Sequence, residues 1–176
     1  MSSIIKVNTF QDANGNALFS SDGSGNITGN NLLTPAFQAK MSGNQSISDN
    51  VYTKVEFDTE DYDTNSMYDT STYRFTPTTA GKYYVYTYAS LSGEANSQII
   101  NAKLSIYLNG SEHLFGYMSM SSSYVEIVNI TTVGTIDMNG STDYIEVYAS
   151  INTVSTTPQI KGTTRSRFGA YKIIGA

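Results

Sequence analysis

From Pro35 onward, apolar and polar residues alternate with a period of two along most of the chain. The clearest stretch spans 81–90. Its odd positions form one side of an extended chain and include Tyr83, Val85 and Thr87. Its even positions form the other side and include Tyr84, Tyr86 and Tyr88. Because successive side chains of a strand point to opposite faces, aromatic residues on both sides indicate that neither face is simply exposed to solvent.

A second alternating stretch, 101–109, ends in a strong turn signal. Its apolar positions are Ala102, Leu104, Ile106 and Leu108. The dipeptide Asn109-Gly110 predicts a tight hairpin into a strand at Leu114–Met120. Further strands are predicted at Ala36–Met41, Thr53–Phe57, Tyr73–Phe75, Tyr124–Val133, Tyr144–Ala149 and Arg167–Ile174. About eight to ten strands separated by turns, without an internal repeat, predict an all-β sandwich or jelly roll.

Residues 1–33 form a separate, turn-rich segment, and the main domain covers 34–176. Asn14-Gly15 and Asp22-Gly23 are turn dipeptides, and short strands are predicted at Ile4–Val7, Ala17–Phe19 and Asn26–Thr28. Strands this short are not stable alone, so the segment must dock on its own copies or on a larger partner. Its apolar docking candidates are Ile4, Ile5, Val7, Leu18 and Phe19. The composition also fits a disordered tail.

Composition narrows the classes of function. The 176 residues include no Cys and a single His, which excludes disulfide frameworks, thiolate metal sites and multi-histidine sites. With 10 Lys+Arg against 15 Asp+Glu, the chain lacks the basic surface that nucleic-acid binding needs. No apolar run approaches the roughly 20 residues of a membrane span, and the N-terminus has no secretory signal. We therefore expect a protein made in a host cytoplasm that leaves as part of a particle.

Candidate chemistry is confined to an acidic stretch beginning at Asp58. Asp61, Asp63 and Asn65 have the alternating spacing of calcium-binding loops. Ser66 and Thr72 stand where an EF-hand has glycine and glutamate, so the stretch is not an EF-hand. A structural calcium ion, a solvated loop with Asx turns and the paired carboxylates of a glycoside hydrolase remain open.

The chain is rich in tyrosine, with 14 of its 176 residues. Tyrosine gives a large contact area at low entropic cost and keeps a polar group, which suits interfaces. The tyrosines are expected either to fill the core and an oligomer interface or to stack against sugar rings on an exposed face. His113, just after the Asn109-Gly110 turn, is expected on the surface.

The aromatic and glycine spacing from Phe57 to Tyr83 resembles the signature of the C1q/TNF-like domain family. The matching positions are Phe57, Asp63, Tyr68, Phe75, Gly81 and Tyr83. Two further signature aromatics are replaced by Val85 and Thr87, with Tyr88 one residue beyond. The closing strand is also similar, with Phe168 and Tyr171 beside Gly169, although the family's glycine would fall at Ala170. The resemblance covers about residues 35–175.

The resemblance implies a ten-strand jelly roll that assembles as a homotrimer, with binding or scaffolding rather than enzymatic roles. Calcium occurs in some members of the family, but only Asp63 matches a signature position and no ligand set carries over, so no cofactor is expected. The aromatics it implies for the core or the trimer seam are Phe57, Tyr68, Phe75, Tyr83, Tyr84, Tyr86, Tyr88, Phe168 and Tyr171. Residues 1–33 lack the Gly-x-y period of a collagen stalk. Their turn-rich composition instead looks like the short N-terminal anchors of bacteriophage virion proteins.

These observations predict a structural protein on the surface of a bacteriophage virion, as a capsid decoration, head fibre or tail fibre. Its partners would be two further copies of itself and other virion proteins bound through 1–33, with no nucleic acid and no membrane. One alternative is an adhesin at a tail-fibre tip that binds a host-surface glycan or receptor. Another is a hydrolase of the tailspike type.

Overall fold

The computed structural model describes residues 7–28, 34–96, 98–121 and 124–173. Every regular element in these ranges is a β-strand, and none of the described residues forms a helix that could span a membrane. The chain divides into two compact units, Met1–Thr34 and Pro35–Ala176. Ile4 and Ile5 lie outside the described residues, as does most of the strand predicted at Ile4–Val7.

The first unit contains an antiparallel three-stranded sheet. Its strands are β1 (Thr9–Gln11), β2 (Ala17–Ser21) and β3 (Ile27–Thr28), in the order β1-β2-β3. Two tight turns connect them, each with a glycine at positive φ, Gly15 and Gly25. The strands predicted at Ala17–Phe19 and Asn26–Thr28 correspond to β2 and β3.

The second unit is built from the remaining strands. In chain order they are β4 (Ala36–Lys40), β5 (Gln45–Ser46), β6 (Thr53–Lys54), β7 (Thr59–Asp63), β8 (Tyr68–Asp69), β9 (Arg74–Phe75), β10 (Gly81–Ser92), β11 (Ile99–Leu108), β12 (Ser111–Ser119), β13 (Ile127–Met138), β14 (Ile145–Thr153) and β15 (Gln159–Lys172). All the pairings among them are antiparallel.

These strands form two sheets packed as a sandwich. The first sheet has the order β13-β10-β15-β4-β7, with β5 pairing to β15. The second has the order β12-β11-β14-β9-β8, with β6 pairing to β14. From β9 onward the chain crosses between the sheets after β9, β10, β12, β13 and β14, which is the connectivity of a jelly roll. Two six-stranded antiparallel sheets confirm the predicted jelly-roll sandwich, with the short strands β5 and β6 in addition to the ten strands expected.

An aromatic cluster lies at the centre of the sandwich. Phe37 stacks on Phe75 at 4.4 Å between ring centroids and on Tyr68 at 4.7 Å, and it meets the edge of Phe168 at 5.0 Å. The Tyr68 hydroxyl donates a hydrogen bond to the carbonyl of Phe57, so its polar group is satisfied inside the core. Burial raises the pKa of Tyr68 and keeps that hydroxyl protonated as a donor.

One element was predicted wrongly. The acidic stretch expected as a loop contains the strand β7, which forms one edge of the first sheet and pairs with β4. Asp61 and Asp63 therefore lie on a strand, and of the three candidate ligands only Asn65 lies in the following turn. Charged side chains at a sheet edge are common because they discourage pairing with another chain. The composition of β7 reflects that edge position.

A buried carboxylate fastens two short strands to the second sheet. Glu146 on β14 is 1% exposed and forms ion pairs with Lys54 on β6 and Arg74 on β9. The Arg74 Nε–Glu146 Oε2 distance is 2.8 Å, and the Arg74 guanidinium also lies over the Tyr144 ring. Burial alone would raise the pKa of Glu146, but hydrogen bonds from Lys54 and Arg74 outweigh it and lower the pKa.

The Glu146→Gln variant tests this cluster. Since a carboxylate with a lowered pKa stabilises the fold above its ordinary range, the variant should lose about 1.5–3 kcal/mol of unfolding free energy at pH 7. The difference from wild type should shrink as the pH falls below 4.5, the ordinary glutamate value, because the carboxyl protonates first in the unfolded chain and only later, at its lowered pKa, in the folded protein. Urea titrations at several pH values measure both effects.

The control is Asp137→Asn, which removes the exposed ion pair between Asp137 and Lys82. That change should cost about 0–1 kcal/mol. Equal losses for the two variants at pH 7 would show that the Glu146 cluster is not a stabilising connection.

Candidate functional site

The outer face of the first sheet is lined with tyrosines. Tyr83, Val85 and Thr87 of β10 point into the core and are fully buried, so the residues between them point outward. We call this surface the tyrosine face and define it by Tyr84, Tyr86 and Tyr88 of β10, Tyr171 of β15 and Val133 of β13. Tyr84 lies opposite Tyr171, and Tyr86 lies opposite Val133. Aromatic and aliphatic groups thus cover three adjacent strands.

At the centre of the tyrosine face, a glycine leaves room for a tyrosine ring. Tyr86 lies opposite Gly169 of β15, and a Cβ at Gly169 would come within 2.5 Å of the Tyr86 ring and hydroxyl. The Tyr86 ring therefore occupies the space a side chain would fill, and its hydroxyl accepts a hydrogen bond from Gln38 Nε2 at 2.6 Å. Burial raises the pKa of Tyr86. The ring is fixed across the sheet.

The other rings of this face lie close together. The Tyr84 and Tyr171 centroids are 5.2 Å apart, and those of Tyr84 and Tyr86 are 6.3 Å apart. Tyr88 is 37% exposed, Tyr171 44% and Val133 47%. A group of adjacent, half-exposed rings in fixed positions is a contact surface.

Charged groups mark both ends of the tyrosine face. Lys82 pairs with Asp137 at 2.8 Å beyond Tyr84. At the other end Asp61 accepts a hydrogen bond from Lys40 at 2.5 Å and pairs with Arg167 Nε at 2.8 Å. The hydrogen bond from Lys40 and the charge of Arg167 lower the pKa of Asp61. The face is therefore apolar in the middle and charged at its rim.

A cleft of about 210 Å³ adjoins the Asp61 end. It is lined by Lys40, Met41, Ser42, Thr163, Thr164 and Arg167. Both of its cations are already paired with Asp61, so the cleft does not hold a free positive charge for an anion.

The aromatics implied by the family resemblance separate into two groups. Five are buried in the core: Phe57, Tyr68, Phe75, Tyr83 and Phe168. Burial raises the pKa of Tyr83 to about 12, and its hydroxyl donates to the carbonyl of Thr79. The other four lie on the tyrosine face: Tyr84, Tyr86, Tyr88 and Tyr171.

The proposed calcium site and the proposed hydrolase site share Asp61 and Asp63, and both carboxylates form bonds within the jelly roll. Asp61 is engaged by Lys40 and Arg167, as described above. Asp63 accepts hydrogen bonds from the backbone N–H groups of Asn65 and Tyr68, at 3.1 and 2.7 Å. Within the described ranges, no group of three or more Asp, Glu, His or Cys side chains converges on a metal position. These residues do not fit a calcium site, and nothing arranges them as an acid and base pair.

A second exposed surface lies along the edge of the sandwich, where β12 ends the second sheet and β13 ends the first. We call it the β12–β13 edge. Phe115 is 58% exposed, Tyr117 55% and Met118 40%, and Ile127 of β13 is 36% exposed. The sequence predicted a strand here but not this exposure. The alternation of Leu114 and Gly116 with Phe115 and Tyr117 is the sequence pattern that could have predicted this exposure.

The first unit exposes its apolar residues too. Val7 is 44% exposed, Leu18 47% and Phe19 36%, and the rings of Phe10 and Phe19 stack at 4.4 Å. Its two turns have the same form: Asp12 and Asp22 each begin an Asp-x-x-Gly-Asn turn, ten residues apart.

Neither a protein-family model nor a curated protein sequence matches this chain. Solved structures do match. Murine APRIL, of the TNF family, is similar with a TM-score of 0.58 and 12% identity, over 80% of this chain and 100% of that one. The globular domain of zebrafish complement 1qA is similar with a TM-score of 0.51 and 16% identity, over 80% of this chain and 98% of that one. The chain has the C1q/TNF-like jelly-roll fold. At this level of identity the likeness establishes the C1q/TNF-like architecture and leaves the role to be argued from the surface.

The Gly169→Ala variant tests the packing at the centre of the tyrosine face. Its methyl group would meet the Tyr86 ring at 2.5 Å and the Phe37 carbonyl at 2.8 Å, so the ring must move. We expect a loss of about 1–3 kcal/mol of unfolding free energy, measured by thermal or urea unfolding. Gly43→Ala is the control, because a Cβ at Gly43 meets nothing within 4 Å. Equal stability of the two variants would contradict the packing described here.

Proposed function

We propose that this chain is a homotrimeric, non-enzymatic structural protein of a bacteriophage virion, in which the jelly roll forms the trimer and the first unit attaches it to the particle. The observation that carries the proposal is the tyrosine face. It is a broad aromatic surface on a sheet whose other face is already the core of the sandwich.

Two different surfaces of one subunit support a ring of three. The tyrosine face presents adjacent rings, and the β12–β13 edge presents exposed aromatic and aliphatic side chains beside unpaired strand edges. Contact between unlike surfaces of identical subunits closes into a ring when the rotation allows it. Such a contact would cover both the rings and the edge strands, which otherwise invite association with other chains. C1q/TNF-like domains typically form homotrimers, and this supports three as the number of subunits.

A binding role rather than a catalytic one is supported by the engaged carboxylates. The carboxylate oxygens of Asp61 and Asp63 are engaged in hydrogen bonds and ion pairs within the jelly roll. The proteins of similar fold are non-enzymatic. The one histidine, His113, is exposed at an irregular position of β12. Among the residues that the structure describes, His113 therefore has no arrangement that would activate a nucleophile.

The particle location is supported by the first unit. Its strands carry exposed apolar side chains, including Leu18, and it precedes in sequence a jelly roll whose core lies wholly within the second unit. Its turn-rich sequence looks like the N-terminal anchors of bacteriophage virion proteins. Three copies of a weak anchor bind a particle more tightly than one because the second and third attachments are intramolecular.

A second candidate is a receptor- or glycan-binding role, which the outer face of the second sheet favours. Tyr52 is 49% exposed there, and the rings of Tyr107 and Tyr148 lie 4.4 Å apart between centroids, tilted by 38°. Lys103 lies between the Tyr52 and Phe115 rings and pairs with Glu112. Aromatic rings beside hydrogen-bonding groups suit a sugar, so this role would add to the structural one.

The trimer is tested by Tyr171→Asp, which places a charge on the tyrosine face. Desolvating an unpaired carboxylate at an interface is costly, so the trimer dissociation constant should rise at least 100-fold. Sedimentation velocity measures the subunit number, and circular dichroism checks that the fold persists. Tyr52→Asp, a comparably exposed position on the other sheet, should leave the trimer intact. A monomeric wild type, or a trimer that tolerates Tyr171→Asp, would refute the assignment.

The particle location is tested by immunogold labelling of intact particles with an antibody against the purified chain. Regular labelling of the capsid supports a decoration or head fibre. Labelling confined to tail tips supports the receptor-binding candidate. The absence of label from particles of a phage that encodes the chain would overturn the virion assignment.

A further inference from the structure

The first unit has a sheet but no interior of its own. Among its described residues, Val7 to Ile27, every residue is exposed except Ser20, which is half-buried. Three strands of this length bury too little surface to be stable alone. A partner must cover at least one face of the sheet.

The two faces of this sheet differ in composition. Phe10 and Phe19 are cross-strand partners, and Ser21, two residues after Phe19, is the partner of Ile27. Phe10, Phe19 and Ile27 therefore share one face, which we call the Phe10 face. Leu18 points to the opposite face. Ile27 is the most exposed of these side chains at 60%.

The turns present the Phe10 face in a defined register. Asp12 Oδ1 accepts from the N–H groups of Asn14 and Asn16, and its Oδ2 accepts from the Asn16 side chain. Asp22 repeats the pattern with Ser24 and Asn26. The hydrogen bonds from the Asn16 and Asn26 side chains lower the pKa of the two carboxyls. Matching turns fix the strand register before any partner binds.

We propose that the partner is the same segment of the other two subunits: in the trimer, three copies of the sheet pack through their Phe10 faces around the three-fold axis. This inference rests on the trimer proposed above. Each copy would contribute Phe10, Phe19 and Ile27 to a small shared core. The opposite face, with Leu18, would stay outward for contact with the particle.

The connection between the units favours copies of the chain as the partner. Six residues, 29–34, separate β3 from Pro35, and they span at most about 20 Å. The first strand of the jelly roll then begins at Ala36, which pairs with Tyr171 of the tyrosine face. The connecting segments therefore leave the jelly roll beside the proposed subunit contact. Short tethers from one interface raise the effective concentration of the three sheets to about the millimolar range.

The chain contains no cysteine, so single cysteines report this contact cleanly. The Ile27→Cys variant places a thiol on the Phe10 face, and Leu18→Cys places one on the opposite face as the matched control. Under mild oxidation of the full-length protein, Ile27→Cys should form intersubunit disulfides at least ten times faster than Leu18→Cys. Equal rates, or faster coupling through Leu18→Cys, would overturn the proposed packing.

Hydrogen exchange of the full-length protein gives an independent measurement. Amides of β1 and β2 should be protected in the wild-type trimer, and Tyr171→Asp should reduce that protection at least tenfold by separating the three sheets. Unprotected amides in the wild type, or protection that persists in the monomeric variant, would overturn the inference. Sedimentation of the same samples separates the two proposals, because a wild type that is already monomeric refutes the trimer itself.

Discussion

Strand β10 is buried on one face and aromatic on the other, and the rest of the structure depends on that arrangement. Its odd positions insert Tyr83 and Val85 into the core of the sandwich. Its even positions carry Tyr84 and Tyr86 onto the outer surface, between β13 and β15. The inner face of this strand is buried by folding, and its outer aromatic face is the surface on which the proposed assembly rests. The jelly roll and its proposed assembly therefore draw on the same twelve residues.

The outer surface is organised by what lies beside β10. Gly169 leaves room for the Tyr86 ring, and Gln38 holds the Tyr86 hydroxyl from the next strand, so rings on adjacent strands form one flat surface. Ion pairs lie at both ends of this tyrosine face and bound its apolar part. The second sheet is fastened differently, by Glu146 and its two cations, which leaves its own outer aromatics available for a separate contact. The tyrosine face thus suits assembly, and the outer aromatics around Tyr52 and Tyr148 suit a separate contact.

Much of this fold follows from local pattern. The alternation in 81–90 predicted both faces of β10, and Asn109-Gly110, with φ of 53° and 79°, forms the predicted hairpin turn between β11 and β12. The acidic strand β7 was not predicted, because charged side chains at a sheet edge follow the edge position rather than any strand propensity.

Only part of the tyrosine face could be predicted from the sequence. Its members on β10 follow from alternation, whereas the closeness of Tyr84 to Tyr171 depends on the register of β15, about 85 residues away, which local pattern does not determine.

The most direct test of the trimer contact is the reactivity of individual tyrosines toward nitration in the native protein, read by mass spectrometry. Tyr52 and Tyr171 are 49% and 44% exposed on a single subunit. If the tyrosine face is covered in the trimer, Tyr52 reacts readily while Tyr171 is protected, and equal reaction of the two would contradict that contact.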